Sequence, residues 1–412
     1  MKRLAINKLI MEILIISTWD MQDHGMQATK KTPLYFAMKG HKVTFLVHSE
    51  TTNCPSLRTD LHENLKIIRF NLPFKGLMKI PKLGRLRILL LFGFYCLFYS
   101  FKIYRKSNSP DVLYAAESDA IFIGYILNKF LKTTFVTRYY GVSTALLSHP
   151  IKHFLYKLSL RCPSDMAIMT DDGTDGKNVL KKVNKRVGTI QFWRNGIDRA
   201  QVDLDKAKAY SEKYRLCSNA LILVTISRLY GWKRIDRSIK AVHSLIKQRQ
   251  LPLKLIIVGE GPEKPRLENL VDQLGINKNI EFVGAIPHEE IYNLYFIADI
   301  FISGYDMSNV GNPLWEALNA GKCIVALNTG KTSEVIENGI NGLLVSYDKD
   351  EDKNVHGLAK AIEKLYDDDK LRMKLAQGAQ DYGRKNLWSW EDRLNTELQK
   401  LEELKSRGYV LY

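Results

Sequence analysis

The chain has 412 residues, 45% hydrophobic and 25% charged, with a formal net charge of +17. These are the proportions of a soluble globular protein, and the length calls for about two domains rather than one core. Its five Cys, at 54, 96, 162, 217 and 323, share no C-x-x-C spacing, which argues against a zinc site or disulfide framework and fits a reducing compartment. The charge is one-sided: residues 1–199 hold 31 Lys/Arg against 14 Asp/Glu, and residues 200–412 hold 30 of each. Residues 64–110 hold ten Lys/Arg and no acid. Such a field favours an anionic partner: membrane lipid, a pyrophosphate-linked substrate or nucleic acid. No nucleic-acid-reading motif accompanies it, so nucleic acid is set aside. The start, MKRLAINKLI, runs into a strand with no small-residue cleavage site. The expectation is therefore a cytoplasmic chain with no secretory signal, residues 1–10 being a tail or a mis-assigned start.

Met11–Ser17 is a continuous apolar strand. The loop TWDMQDHGMQ follows, then a helix over Ala28–Met38 closed by Gly40, then a second strand, His41–His48. Strand, loop, helix and strand in this order make a right-handed βαβ unit. No G-x-G-x-x-G accompanies it, so it does not speak for NAD. His24 and Gly25 fall beyond the carboxyl end of the first strand, where such folds present ligands, and Gly25 is a candidate binding position. Leu65–Phe70 is a third strand. Ile88–Phe101 is almost wholly apolar with Lys/Arg on both flanks, and at 14 residues it is too short to span a bilayer. It reads as a helix packed inward in the first domain, whose basic, aromatic flank rests on anionic lipid, with membrane contact somewhere in 75–106. Strands at Asp111–Ala115 and Thr133–Thr137, with a helix Ala120–Phe130 between them, lead to Arg138-Tyr139-Tyr140-Gly141. A helix Ala145–Leu160, strands at Asp165–Thr170 and Gly188–Phe192, and the turn Trp193–Asp198 complete the first half.

After helix Val202–Tyr214 the βα alternation starts again. Strand Leu221–Ser227 is followed by the loop RLYGWKR and a helix Asp236–Gln248. Strand Lys254–Val258 ends in Gly259-Glu260-Gly261-Pro262. Helix Arg266–Leu274, strand Ile280–Val283 and helix His288–Phe296 lead to strand Ala298–Ser303. Then come the polar loop Ser308-Asn309-Val310-Gly311-Asn312, a helix capped by Asn312 with Pro313 at its first position, and strand Cys323–Leu327. Helices Val355–Tyr366, Asp369–Lys385 and Trp388–Arg407 close the chain, the last long enough to cross back to the first domain. The expected domains are 11–205, 206–385 and a C-terminal helix within 386–412.

The chemistry concentrates in the second half. Free backbone N–H groups over 308–312 and at the helix start make an anion site. Glu316, one turn in, can accept hydrogen bonds from the vicinal hydroxyls of a ribose. Arg228 and Lys233 follow the first strand of this half, at the edge where parallel sheets bind ligands. A bidentate guanidinium and a point ammonium there would clamp a diphosphate and stabilise it as a leaving group. Taken singly, Gly311 and Gly321 turn the chain, Glu316 is solvated, and loop Arg and Lys are solvated too; taken together they point to a nucleoside diphosphate.

These residues resemble glycosyltransferase family 4. The resemblance rests on SRLYGWKRIDRSIKAV (227–242), LIIVGEGPEKPRLENL (255–270), EFVGAIPHEEIYNLYFIADIFIS (281–303), NPLWEALNAGKCIVA (312–326) and ENGINGLLV (337–345), and more loosely on RNGID (194–198) and GHKVTFLV (40–47). It implies an α/β chain of GT-B architecture, two facing Rossmann-like domains with parallel sheets, the first binding an acceptor and the second a nucleotide sugar. It implies that Arg228 and Lys233 serve the donor phosphates, Glu316 the ribose, and Gly259 and Ile286 the nucleobase. No metal and no cofactor are implied, the basic pair standing in for a divalent cation while the leaving phosphate helps deprotonate the acceptor on the same face. Two positions depart from the family pattern. The first Glu of its Glu–seven residues–Glu motif is Ser308, with Asp306 as a substitute nearby, and a His before Gly in the first domain is Tyr140, a hydrogen-bond donor but a poor base near neutral pH.

The expected function is transfer of a sugar from a UDP- or GDP-linked donor to a glycan or a polyprenyl-pyrophosphate-linked glycan, with retention, at the inner face of an anionic membrane in surface polysaccharide synthesis. The alternatives are a non-catalytic nucleotide-sugar or glycan-binding paralogue, and an epimerase of the same architecture.

Overall fold

The computed structural model describes residues 9–20, 27–48, 61–73, 86–104, 109–142, 154–199, 201–214, 217 and 219–407. Gly25, His24, and most of the basic flanks in 75–106 lie outside the described residues. The chain divides into two compact units. One comprises Met1–Asp171, Asp175–Asn195 and Trp390–Tyr412, the other Asp172–Thr174 and Gly196–Ser389.

The first unit is built on seven strands: β1 (Glu12–Ser17), β2 (Lys42–His48), β3 (Leu65–Phe70), β4 (Val112–Ala116), β5 (Thr134–Tyr139), β6 (Ser164–Thr170) and β7 (Val187–Trp193). They pair in parallel in the order β3-β2-β1-β4-β5-β6-β7. Helices cover both faces, so strands such as LKIIRF at the edge alternate while β4 (VLYAA) and β5 (TFVTRY) are buried throughout. The order reverses between β1 and β4, which opens a crevice at their carboxyl ends. Glu117 lies at this point. Its φ of 68° is unusual for a non-glycine residue. Its buried carboxyl accepts from Ser17 Oγ at 2.6 Å, Thr18 N at 2.8 Å and Thr18 Oγ1 at 2.5 Å. Burial pushes its pKa up to about 8 against these hydrogen bonds.

The apolar stretch after β3 is a π-helical turn, Ile88–Phe92, continuing as an α-helix, Gly93–Tyr104. It does not pack wholly inward. Phe92, Gly93, Cys96 and Ser100 face the core, while Leu90, Phe94, Phe98 and Phe101 are exposed. A helix apolar all round satisfies either arrangement from sequence, since its periodicity carries no preferred side.

The helix Trp390–Arg407 belongs to the first unit. Its Glu397, fully buried, accepts from Tyr114 Oη at 2.6 Å and Arg138 Nη1 at 2.9 Å, and also from Arg393. Arg393 stacks on Trp193 with its guanidinium 4.6 Å from the ring centre, and Lys405 pairs with Asp111 at 3.0 Å. A buried charge cluster of this kind is held by mutual pairing, and losing one partner strands the others.

The second unit has six strands: β8 (Leu221–Ile226), β9 (Leu253–Val258), β10 (Ile280–Gly284), β11 (Ile300–Ser303), β12 (Cys323–Asn328) and β13 (Leu343–Ser346). They are parallel in the order β10-β9-β8-β11-β12-β13. The central strands LILVTI and LKLIIV are buried along their whole length. Here the reversal falls between β8 and β11, so the loops after these two strands border one crevice. Each unit therefore has the Rossmann-like α/β organisation expected from the sequence.

Candidate nucleotide-sugar site

The loop after β8 turns through a short 3-10 segment, Gly231–Lys233, and the loop after β11 begins at Gly304. Because β8 and β11 are neighbours, the two loops meet. Asp306 N donates to Trp232 O at 3.0 Å, and the rings of Trp232 and Tyr305 contact edge-on at 6.3 Å. Lys233 ends between them, its Nζ 4.1 Å from the centre of the Trp232 ring and 3.8 Å from that of Tyr305. Burial first, and the neighbouring Arg228 charge second, bring its pKa down to about 7, with Asp172 opposing them. Arg228 is exposed, its guanidinium 5.5 Å from the Tyr230 ring centre. The structure thus brings Arg228 and Lys233 to the β8–β11 crevice and sets Lys233 against the residues that lead into 308–312.

That second loop is more tightly closed than a cradle of free amides. Asn309 N donates to Thr332 Oγ1 at 3.2 Å, Val310 N to Ser308 Oγ at 3.1 Å and Gly311 N to Asn309 O at 2.9 Å. The Asn309 side chain accepts from Tyr305 N at 3.1 Å and donates to Leu327 O at 2.5 Å and Thr329 Oγ1 at 3.1 Å. Ser308, Asn309 and Val310 are buried, and Gly173 packs so closely that an added Cβ would lie 2.2 Å from Ser308 Oγ. Asn309 is therefore the lock of this loop. The helix is Asn312–Asn319 with Gly311 as its N-cap, so Asn312 is the first helical residue and Pro313 the second, one step from the expected register. Asp306, considered as a stand-in for the missing family Glu, is occupied: Arg237 Nη2 holds it at 2.8 Å. Arg237 in turn forks onto Glu351 at 2.8 and 2.6 Å, holding that carboxyl down at about pKa 2.

Glu316 lies on the second turn of its helix and is buried. Its Oε1 is 2.8 Å from His288 Nε2, and His288 Nδ1 is 3.5 Å from Asp198 Oδ2. Two neighbouring tyrosines fix the surroundings: Tyr295 Oη donates to Pro313 O at 2.7 Å and Tyr292 Oη to Asp198 O at 2.8 Å. Sequence reasoning placed Glu316 but missed His288 and Asp198. A His beside two Glu at the start of a helix reads as surface, and the partner is 28 positions away.

Gly259 has φ of 131°, and a Cβ there would meet Ser227 O at 1.9 Å. Its requirement is close approach of β9 to the β8 loop, which sets the path of that loop towards Arg228. Ile286 is half-buried at the edge of the core that includes Trp315. In the first unit, Tyr140 stacks on Trp19 at 5.4 Å and its Oη is 3.5 Å from Thr29 Oγ1. Burial pushes its phenol up to about 12, so it stays protonated. Among the described residues no group of three His, Cys, Asp or Glu is placed to hold a metal ion.

Residues 207–382 match the family described as glycosyl transferases group 1. This segment is a group 1 glycosyltransferase domain. It includes Arg228, Lys233, the 308–312 loop, His288 and Glu316. An uncharacterized glycosyltransferase of Methanocaldococcus jannaschii is 29% identical over 239 residues, 53% of this chain and 58% of that protein. A GDP-mannose-dependent alpha-(1-6)-phosphatidylinositol monomannoside mannosyltransferase of Mycolicibacterium smegmatis is 28% identical over 204 residues, 48% of this chain and 51% of that protein. The chain spans about half the length of the curated relatives it matches. The crystal structure of HepE from Anabaena in complex with UDP and glucose superposes with a TM-score of 0.72 at 16% identity, covering 95% of this chain and 99% of that one. That likeness shows the fold, Rossmann-like α/β units of the GT-B kind.

Proposed function

We propose that the chain transfers a sugar from a nucleoside diphosphate donor, UDP- or GDP-linked, to a hydroxyl of a glycan or lipid-linked glycan. The observation that carries this reading is the meeting of the β8 and β11 loops, with Lys233 lodged between Trp232 and Tyr305 and Arg228 five residues before it. A diphosphate there gains two cations as the bond to the sugar breaks, which lowers the barrier by favouring the charge that develops. Glu316, anchored by His288, accepts from the ribose hydroxyls. The leaving phosphate takes the acceptor proton on the same face, giving retention. Tyr140, kept protonated, donates a hydrogen bond rather than acting as a base. With the cationic pair in place, no divalent cation is needed. The net charge of +17, all of it arising in the first half, supports a pyrophosphate-linked acceptor at an anionic membrane, as in surface polysaccharide assembly.

The test is transfer and donor hydrolysis with UDP- and GDP-sugars by the wild type, Arg228→Ala and Lys233→Ala. Loss of turnover by orders of magnitude with unchanged circular dichroism is expected. Undiminished turnover in both variants overturns the site. A second reading, a nucleotide-sugar-binding protein without turnover, is favoured by Ser308, whose hydroxyl is already taken up by Val310 N. Nucleotide binding by calorimetry without hydrolysis or transfer would select it.

A further inference from the structure

The helical segment 86–104 presents an unpartnered side. Leu86, Leu90, Phe94, Phe98 and Phe101 are 49, 63, 62, 52 and 48% exposed, at spacings of four, four, four and three. The opposite side, with Phe92, Cys96 and Ser100, is fully buried. The exposed rings form one surface rather than scattered residues. Phe94 stacks on Phe98 at 6.4 Å, and Phe101 meets Phe130 of the helix Ser118–Leu131 edge-on at 5.9 Å. Phe130 is itself 59% exposed. A contiguous apolar surface of this kind marks an interaction site.

The charge around it selects the occupant. Residues 64–110 contain no acid. Lys102, Lys129 and Lys132 are exposed on the same two helices and at the end of the second. Lys102 and Lys129 hold their ammonium groups over Tyr99 and Tyr125, with Nζ 5.8 and 4.9 Å from the ring centres. An aromatic stripe bordered by such lysines matches the headgroup–acyl boundary, where rings enter the apolar layer and ammonium groups reach the phosphates. A protein partner of matching apolar surface would leave the lysines unneutralised. No described helix is long and apolar enough to cross a membrane; at 1.5 Å per residue the segment is about 28 Å long, a length that suits a helix lying in the plane of an interface.

We propose that this stripe is a lipid-docking face that inserts Leu90, Phe94, Phe98, Phe101 and Phe130 into an anionic bilayer. It deepens the membrane part of the proposed function and rests on that part alone; the donor site contributes nothing to it.

The test is sedimentation of the purified full chain with vesicles of phosphatidylcholine, with and without 30% phosphatidylglycerol. Binding to the anionic vesicles is expected, weakened at least tenfold by Phe94→Ser/Phe98→Ser and several-fold by Lys129→Glu/Lys132→Glu. Both variants keep the wild-type thermal midpoint and nucleoside-diphosphate binding. Wild type that stays in the supernatant with anionic vesicles overturns the proposal. So does a Phe94→Ser/Phe98→Ser protein that binds vesicles as well as wild type. So does a wild-type dimer in solution that this substitution dissociates, which would assign the stripe to a second copy. Should the double Phe variant fold poorly, Phe98→Ser alone carries the same test. Loss of vesicle binding with donor turnover retained on a water-soluble acceptor separates this proposal from the donor-site reading.

Discussion

At Lys233 the ammonium lies between two rings and beside Arg228, and its pKa falls to about 7. A bound diphosphate reverses that pressure by adding opposite charge. Affinity for UDP or GDP should therefore weaken as pH rises through about 7, and binding at pH 8 should take up protons. Calorimetry in two buffers of different ionisation enthalpy measures the uptake. Lys233→Met should abolish it and weaken binding by about 10- to 100-fold, the worth of one charge-assisted hydrogen bond. His288 offers a second check. Replacing it by Ala leaves the buried Glu316 carboxyl without its 2.8 Å partner. Donor KM should rise about tenfold or more, with Gln, which still donates, recovering part of the loss. Glu117 gives a stability test. Its pKa of about 8 lies above the ordinary 4.5, so the folded state favours the protonated acid. The penalty is absent below about 4.5, grows as pH rises towards 8 and is complete above it. Thermal unfolding of the wild type should decline over that window, by on the order of a few kcal/mol, and Glu117→Gln should flatten the decline.

At the scale of elements, the strands were legible because parallel strands buried on both faces are continuous apolar runs, as LILVTI and LKLIIV are. The placing of Arg228 and Lys233 followed from their position after such a strand. What the sequence concealed was the hydrogen-bonding inside the 308–312 loop. Ser308-Asn309-Val310-Gly311 looks like a row of open amides, yet the Thr329 and Thr332 hydroxyls that close it come from the loop after β12. The side of helix 86–104 that faces water was hidden for a different reason, since both sides are apolar. The loop's lock is testable. Asn309→Ala removes side-chain bonds to Tyr305, Leu327 and Thr329, and should cost about 2–4 kcal/mol in denaturant unfolding of the second unit. Donor binding should weaken in parallel.

At the scale of the whole molecule, the alternation of apolar runs announced two α/β units, but not which residues belong to each. Asp172–Thr174 counts with the second unit although β6 and β7 on either side belong to the first. No composition change marks that exchange, because it is decided by where Gly173 fits against Ser308 and by Lys331 N donating to Gly173 O at 3.1 Å. The fragment 196–389 should unfold cooperatively by itself, whereas 1–195 should be loose until a peptide of 390–412 is added, as read by near-ultraviolet circular dichroism.

Arg138 waits for an acid that is 259 positions further along. During synthesis the second unit is complete while the first still lacks Glu397, so the half made earliest is the half that finishes last. Until that helix leaves the ribosome, Arg138 lacks the Glu397 counter-charge and Tyr114 lacks the carboxylate its hydroxyl donates to, so burying them before then carries a cost. A stop codon near residue 389 would therefore damage the opposite end of the polypeptide from the one it shortens.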